Sequence, residues 1–230
     1  MPYFYIDYTY LVYVVPAIII SIIAQIMVKS TFAKYDKVFS SKGMTASEVT
    51  RKILDANGLS HIAVQNIAGN LTDHYDPKAG VIRLSDTVRS NTSVAAIGVA
   101  AHEAGHAIQY KTGYVPIKIR NAFVPVANIG SRLSMPIILL GIILSQDPLV
   151  LFGIILFSAI VLFQLITLPV EFNASRRAKK TLVAMGILSE TEANGAKRVL
   201  SAAAMTYVAA MIVSLMQLLR LITIFGRRRK

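Results

Sequence analysis

The amino-acid sequence predicts a mainly α-helical membrane protein with three to four transmembrane helices and a small α+β subdomain on the cytoplasmic side. Hydrophobic residues make up 54% of its 230 residues, and the mean hydropathy is +0.56, which is typical of chains with several apolar runs. These runs approach the roughly 20 residues that a helix needs to cross a bilayer. Basic residues cluster at the ends of the runs, where anionic lipid headgroups would meet them.

The charge and the cysteine count limit the classes of partner and of metal site. The net charge is +12, which by itself would suit nucleic acid, but the basic residues flank apolar runs. We therefore expect the lipid bilayer as a partner and no nucleic acid. The chain contains no cysteine, so a metal ion would be held by His, Asp or Glu, a donor set that suits zinc.

Residues 1–28 form the predicted N-terminal transmembrane anchor. The apolar run at residues 10–28 is long enough to span, and it has neither a basic n-region nor a small-residue cleavage site, so we expect an anchor rather than a cleaved signal peptide. No Lys or Arg precedes the run, whereas Lys29, Lys34 and Lys37 follow it. The positive-inside rule therefore places the N-terminus outside and the next segment in the cytoplasm.

Residues 29–120 form the predicted cytoplasmic subdomain. A capping-box pattern at residues 45–48 predicts a helix start, and the Asn-Gly pair at residues 57–58 is typical of a helix end. Short runs with strand character and intervening turn residues follow. These predicted strands are residues 62–67, 70–75 and 81–85.

A helix through the stretch VAAHEAGHAIQY carries the ionisable residues of interest, and residues 90–93 offer N-caps for it. His102 and His106 are four positions apart, so they lie on one helix face, about 40° apart around the axis. Two imidazoles placed in this way can converge on one tetrahedral ion. Glu103 lies beside them and can reach a water without ligating the ion, which is the chemistry of the H-E-x-x-H pattern.

A five-residue pattern also has a plain structural interpretation, in which the histidines only hydrogen-bond on a polar helix face. A catalytic zinc needs a third protein ligand and one open position. The longer form of the motif is absent, because Gln109 and Thr112 stand at its positions. Gly105 in a helix interior indicates a close approach by a neighbouring element. The candidates for the third ligand are several aspartates and His61, His74, Glu171, Glu190 and Glu192.

Residues 121–170 form a predicted transmembrane hairpin, after residues 111–120 have left the preceding helix. Its arms are predicted at residues 123–145 and 148–170, with a short polar turn between them. Arg132 lies inside the first arm, so we expect that arm to tilt, to start late, or to hold the guanidinium against protein or headgroups.

Residues 171–200 form the predicted third-ligand helix and cytoplasmic segment. Glu171 is the best-placed ligand candidate, because a carboxylate at the end of a span needs a cationic partner and the hairpin returns it to the side of the HEAGH helix. The alternative partner is Arg176 or Arg177. Residues 201–230 are predicted as a C-terminal transmembrane helix with a basic tail, although a tail on the outside would oppose the positive-inside rule.

The ordered motifs resemble those of the YugP-like neutral zinc metallopeptidases, a family of bacterial integral-membrane proteins. An N-terminal anchor, LTDHYDPKAGVIRLS, HEAGH, a membrane hairpin and LPVEFNASRRAKK follow one another over nearly the whole chain. More distantly, the chain is similar to HtpX-type membrane proteases and to thermolysin-like peptidases. The resemblance implies a zincin-like subdomain with one zinc ion per chain. It also implies an endopeptidase that hydrolyses polypeptides, membrane proteins included, near the cytoplasmic surface of the cell membrane.

Carried over by position, the resemblance implies His102, His106 and Glu171 as zinc ligands. It implies Glu103 as the general base that takes a proton from a zinc-activated water. In HtpX-type relatives an Asp four residues after the ligating Glu orients a ligating His. A serine stands at that position here, so the predicted orienting residue is Ser175 or its neighbour Asn173.

Two further assignments and one alternative function stay open at the level of the sequence. Residues 81–85 are either a substrate-binding edge strand, as in related peptidases, or an ordinary strand of the sheet. His74, Tyr75 and Arg177 are candidate oxyanion donors or structural residues. The alternative function is a non-catalytic zinc-binding membrane scaffold or transporter subunit. Glu103 discriminates the two functions, because a metal store needs no base beside its ligands.

Overall fold

A computed structural model describes residues 8–228 of the chain. The helices within them are α1 (Val15–Asp36), α2 (Ala46–Ala56), α3 (Asp86–Arg89), α4 (Val94–Lys111), α5 (Val115–Ile143), α6 (Asp147–Ala184) and α7 (Glu190–Arg228). The strands are β1 (Ala63–Ile67), β2 (His74–Asp76) and β3 (Val81–Ser85). A short π-helical turn, Tyr10–Val14, leads directly into α1. The first seven residues of the predicted anchor and the last two of the predicted basic tail lie outside the described residues.

Within residues 8–228, four helical segments are long and apolar enough to cross a bilayer. They are Tyr10–Asp36, Val115–Ile143, Asp147–Ala184 and Glu190–Gly226. Together with the small sheet, they confirm a mainly α membrane protein with a small α+β part. Of the predicted three to four transmembrane helices, the described residues contain four candidates.

The start of α5 corrects one predicted boundary. The break predicted over residues 111–120 is confined to residues 112–114, and α5 begins at Val115 instead of residue 123. Pro116 does not prevent this, because it lies in the first helical turn, where the missing N–H would have no helical partner.

The predicted second arm and the start of the predicted third-ligand helix form one continuous helix, because α6 runs past residue 170 to Ala184. The polar residues after the apolar run include neither Gly nor Pro, so nothing in their backbone interrupts the helix.

Contacts divide the chain into two compact units. Of the described residues, the first unit contains those up to Gln25, Lys118–Leu168, and those from Met205 onward. Its α5 and α6 pack at glycines: a Cβ on Gly130 would lie 2.6 Å from the Leu156 carbonyl oxygen. Small residues at such contacts let membrane helices approach closely. Many large apolar side chains of this unit are exposed, as lipid contact requires.

The second unit contains Ile26–Ile117 and Pro169–Ala204. Its sheet has the order β1-β3-β2, with β1 parallel and β2 antiparallel to β3. Both sides of β3 are therefore paired, so the interpretation of residues 81–85 as a substrate-binding edge strand is wrong, and β2 lies at an edge instead. β2 is also shorter than the predicted residues 70–75. Ile82, Leu84 and Ile97 belong to the fully buried core between sheet and helices.

Local hydrogen bonds explain where the helices of this unit begin. The Thr45 hydroxyl accepts from the Glu48 amide, and the Glu48 carboxylate accepts from the Thr45 amide, so the predicted capping box is confirmed. Ser93 Oγ accepts from Ala96 N and caps α4. These caps satisfy amides that a helix start otherwise leaves without partners.

Candidate metal centre

Helix α4 presents two imidazoles on one face. His102 and His106 lie one turn apart, with ring centroids 4.7 Å apart and ring planes at 86°. The residues around them are small and mostly buried, so α4 is enclosed by the rest of the second unit. The side chains of His102 and His106 keep 14% and 13% of their surface exposed, which leaves the pair reachable from solvent.

Helix α6 brings a carboxylate to the two rings. Glu171 Oε2 lies 3.2 Å from His102 Nε2 and 3.6 Å from His106 Nε2. One ligand atom from each residue lies within 4.8 Å of the other two. Glu171 is 3% exposed, and its partners are the histidines. Arg177, a predicted alternative partner, instead donates from Nε to Asn173 Oδ1 at 2.8 Å.

The two helices meet at Gly105. A Cβ at this position would lie 2.8 Å from the Ala174 carbonyl oxygen and 3.4 Å from its Cα. These are backbone atoms of α6, so no side-chain rotation can relieve the contact. The expected close approach is therefore confirmed, and it occurs between the residue before His106 and a residue one turn after Glu171.

Glu103 is buried beside the group. Its Oε2 accepts a hydrogen bond from the Tyr75 amide at 2.9 Å, so the edge strand β2 fixes the carboxylate from the side of the sheet. Burial raises the pKa of Glu103 above the ordinary value because the charged form is poorly solvated; the two histidines oppose this shift, while Glu171 and Asp73 add to it. A raised pKa makes this carboxylate a stronger proton acceptor than an ordinary glutamate.

Each histidine has a second partner at its other ring nitrogen. Ser175 Oγ lies 3.1 Å from His102 Nδ1, and Gln109 Oε1 lies 3.0 Å from His106 Nδ1. Of the two predicted orienting residues, Ser175 is the one that contacts His102; Asn173 contacts Gln109 at 3.0 Å. Gln109 is not among the site residues predicted from the sequence, where its only signal is its position three residues after His106 on the same helix.

Comparison with known proteins shows the family to which the chain belongs. The sequence model of a family described as "Putative neutral zinc metallopeptidase" matches residues 10–226. The chain belongs to this family. It is 50% identical over 211 residues to "Putative membrane protease YugP" of Bacillus subtilis (strain 168), covering 92% of this chain and 94% of that protein. No solved structure matches the chain significantly.

The donor set fits the zinc ion that membership of the neutral zinc metallopeptidase family implies. Two imidazole nitrogens and one carboxylate oxygen are ordinary ligands of catalytic zinc. With ligand distances of about 2.0–2.2 Å, neighbouring ligands of a tetrahedral ion lie roughly 3.3–3.6 Å apart. The observed separations of 3.2 and 3.6 Å from Glu171 Oε2 are close to this range.

The other residues considered as third ligands have other surroundings. His74 Nδ1 contacts the Thr72 carbonyl oxygen, and its Nε2 contacts Arg83. Glu190 is an exposed ion-pair partner of Lys179. Glu192 caps α7 and accepts from Ser41, while His61 is exposed on the surface.

The candidate oxyanion donors are likewise engaged in structural contacts. Tyr75 donates its amide to Glu103, and its ring packs edge-on against Tyr110 with centroids 5.5 Å apart. The Arg177 guanidinium lies 5.8 Å from the centre of the Tyr114 ring. His74 forms the contacts given above.

Proposed function

We propose that this member of the neutral zinc metallopeptidase family is a zinc-dependent membrane endopeptidase with His102, His106 and Glu171 as ligands. The observation that carries the proposal is the convergence of two imidazole nitrogens and one carboxylate oxygen from separate helices, with a fourth ionisable group beside them. Burying these groups is costly unless they are paired or hold an ion. A structural helix face would not require Glu171 to be brought in from α6.

The chain's own residues have distinct roles in the proposed reaction. When bound, zinc supplies Lewis-acid chemistry that polarises a peptide carbonyl and acidifies a water. Glu103 is the general base: it takes a proton from the attacking water and passes it to the nitrogen of the leaving amine. The Tyr75 amide orients this carboxylate through Oε2, and Ser175 and Gln109 orient the two imidazoles.

The active site is proposed to face the cytoplasm, close to the membrane surface. Lys29, Lys34 and Lys37 follow the first apolar run and lie at the start of the second unit, which favours an inside location for that unit. Glu171 follows the apolar part of α6 directly in sequence. Substrates would be polypeptides that reach this surface, membrane proteins among them.

The decisive test is the variant Glu103→Gln, which keeps the size of the side chain and removes the base. We expect the purified variant to bind zinc like the wild type and to cleave casein or a membrane-protein substrate at least about 100-fold more slowly, the usual contribution of a general base. Glu190→Gln removes an exposed carboxylate in the same unit and should leave cleavage unchanged.

The same variant separates the endopeptidase from a zinc-binding scaffold or transporter subunit. A scaffold needs the ligands only, so full biological activity of Glu103→Gln would contradict the proposed chemistry. Wild-type protein with zinc bound and no cleavage of any tested polypeptide would contradict it as well.

A further inference from the structure

We propose that Gln109 is a positioning residue that holds the ring proton of His106 on Nδ1 and so leaves Nε2 as the nitrogen that meets the ion. This inference rests on the proposed function, because it takes a metal ion to be the partner of His106. Gln109 is fully buried on α4. Its amide group contacts a carbonyl and a side chain of α6 as well as the imidazole.

The first constraint on the Gln109 amide is the Val170 carbonyl. Gln109 Nε2 lies 2.8 Å from Val170 O. A carbonyl oxygen only accepts hydrogen bonds, so the end of the amide that faces it must be the NH2 group. Exchanging the two ends would bring two oxygens together with no hydrogen between them, inside a buried site where an unmade hydrogen bond is costly.

A second constraint acts through Asn173 and requires the same orientation of the Gln109 amide. Arg177 Nε lies 2.8 Å from Asn173 Oδ1, and a guanidinium only donates, so this atom of Asn173 must be the oxygen. Gln109 Nε2 lies 3.0 Å from the same oxygen and must therefore donate to it. Two independent partners thus assign the same orientation to the Gln109 amide.

The orientation of the amide fixes the proton of His106. With NH2 facing α6, the remaining atom is Oε1, which lies 3.0 Å from His106 Nδ1. An amide oxygen only accepts, so Nδ1 must carry a hydrogen. In the neutral ring the lone pair is then on Nε2, the atom that lies 3.6 Å from Glu171 Oε2.

His102 has no such constraint from its own partner. Ser175 Oγ can either donate to or accept from His102 Nδ1. The two ligand rings therefore differ: the network from Arg177 through Asn173 and Gln109 determines the tautomer of His106, whereas the serine permits either tautomer of His102. Partners of this kind usually contribute about 10–100-fold to metal affinity.

The test reads the tautomer directly on the full-length, metal-free protein in detergent. Nitrogen-15 NMR of labelled histidine distinguishes a protonated from a bare ring nitrogen, and the chain has only 4 histidines, so a His106→Gln spectrum assigns the resonance. At a pH where the ring is neutral we expect His106 to carry its proton on Nδ1. A proton on Nε2 would overturn the proposal, and this measurement needs no folded variant at position 109.

The variant Gln109→Met adds a second readout. It keeps the length of the side chain and removes both the donor and the acceptor, so we expect both tautomers of His106 and zinc binding about 10–100-fold weaker, measured by competition with a chelator. Gln65→Met makes the same change at an exposed position on β1 and should bind zinc like the wild type. Unchanged zinc affinity in Gln109→Met would overturn the proposal. Neither readout uses peptide cleavage. If the wild type carries the His106 proton on Nδ1 but cleaves no polypeptide, only the proposed function is contradicted.

Discussion

Replacing Gly105 by Ala tests whether the contact between α4 and α6 sets the geometry of the metal centre. From helix propensity alone, Gly105→Ala should stabilise α4 by about 1 kcal/mol. The structure predicts the opposite sign, because the new Cβ would lie 2.8 Å from the Ala174 carbonyl oxygen. To reach an ordinary contact distance the helices must separate by about 0.5 Å, and overpacking of this kind usually costs about 1–3 kcal/mol.

The same displacement reaches the ligands, because Ala174 lies between Glu171 and Ser175 on α6. A preorganised site holds its side chains within about 0.5 Å of the productive geometry, so the displacement of α6 reaches that limit. We therefore expect Gly105→Ala to weaken zinc binding by at least about tenfold and to lower the free energy of unfolding by up to about 2 kcal/mol. Chelator competition and thermal unfolding of the metal-free protein in detergent measure the two effects.

Gly98→Ala is the matched control on the same helix. Its Cβ would meet the Cβ of Ala196 on α7 at 3.1 Å, so it packs against a different helix from the one that carries Glu171. We expect it to change stability with little effect on zinc affinity. If Gly105→Ala bound zinc as tightly as the wild type, the close approach of α4 and α6 would not be what holds the ligands together.

Three other perturbations have expected outcomes. Ser175→Ala removes the Nδ1 partner of His102 and should weaken zinc binding by about tenfold; an unchanged dissociation constant would show that the contact is unimportant. Zinc affinity should fall from about pH 8 to about pH 6, because a proton competes for the ligand nitrogen. Burial lowers the pKa of His106, but the negative charges of Glu103 and Glu171 outweigh it, so its pKa in the metal-free protein lies above the ordinary value; a zinc affinity that does not vary with pH over this range would refute the expected competition. Because the chain lacks cysteine, Lys78→Cys and Gln146→Cys can be labelled singly with an impermeant maleimide in intact cells, and only Gln146→Cys should react if the second unit is cytoplasmic. Labelling of Lys78→Cys would place that unit outside.

Features that depend on local sequence were predictable. The capping box of Thr45 and Glu48 formed as the spacing required, and the four-residue spacing of His102 and His106 placed both rings on one face of α4. Glu171 was also found, because a buried carboxylate after an apolar helix needs a cationic partner and the predicted hairpin returned it to the side of α4.

Features that depend on tertiary contacts were not predictable in the same way. The sequence pattern of β3 does not show which strands flank it, so its central position emerged only with the pairing to β1 and β2. Gln109 looks like an ordinary polar residue of a helix, and its role depends on partners in α6 that lie more than 60 positions away, as with Val170 at a separation of 61. The Tyr75 amide is likewise a backbone group whose proximity to Glu103 no side-chain motif encodes.

The proposed metal centre has His102, His106 and Glu171 around one zinc ion per chain. Zinc K-edge X-ray absorption on the purified, zinc-loaded wild type and on Glu171→Ala, combined with metal analysis, measures this ligand set. We expect one zinc per wild-type chain with two imidazoles and a carboxylate oxygen around it, and a loss of bound zinc or of that oxygen in the variant. Equal zinc content with an identical ligand shell in both proteins would contradict this ligand set.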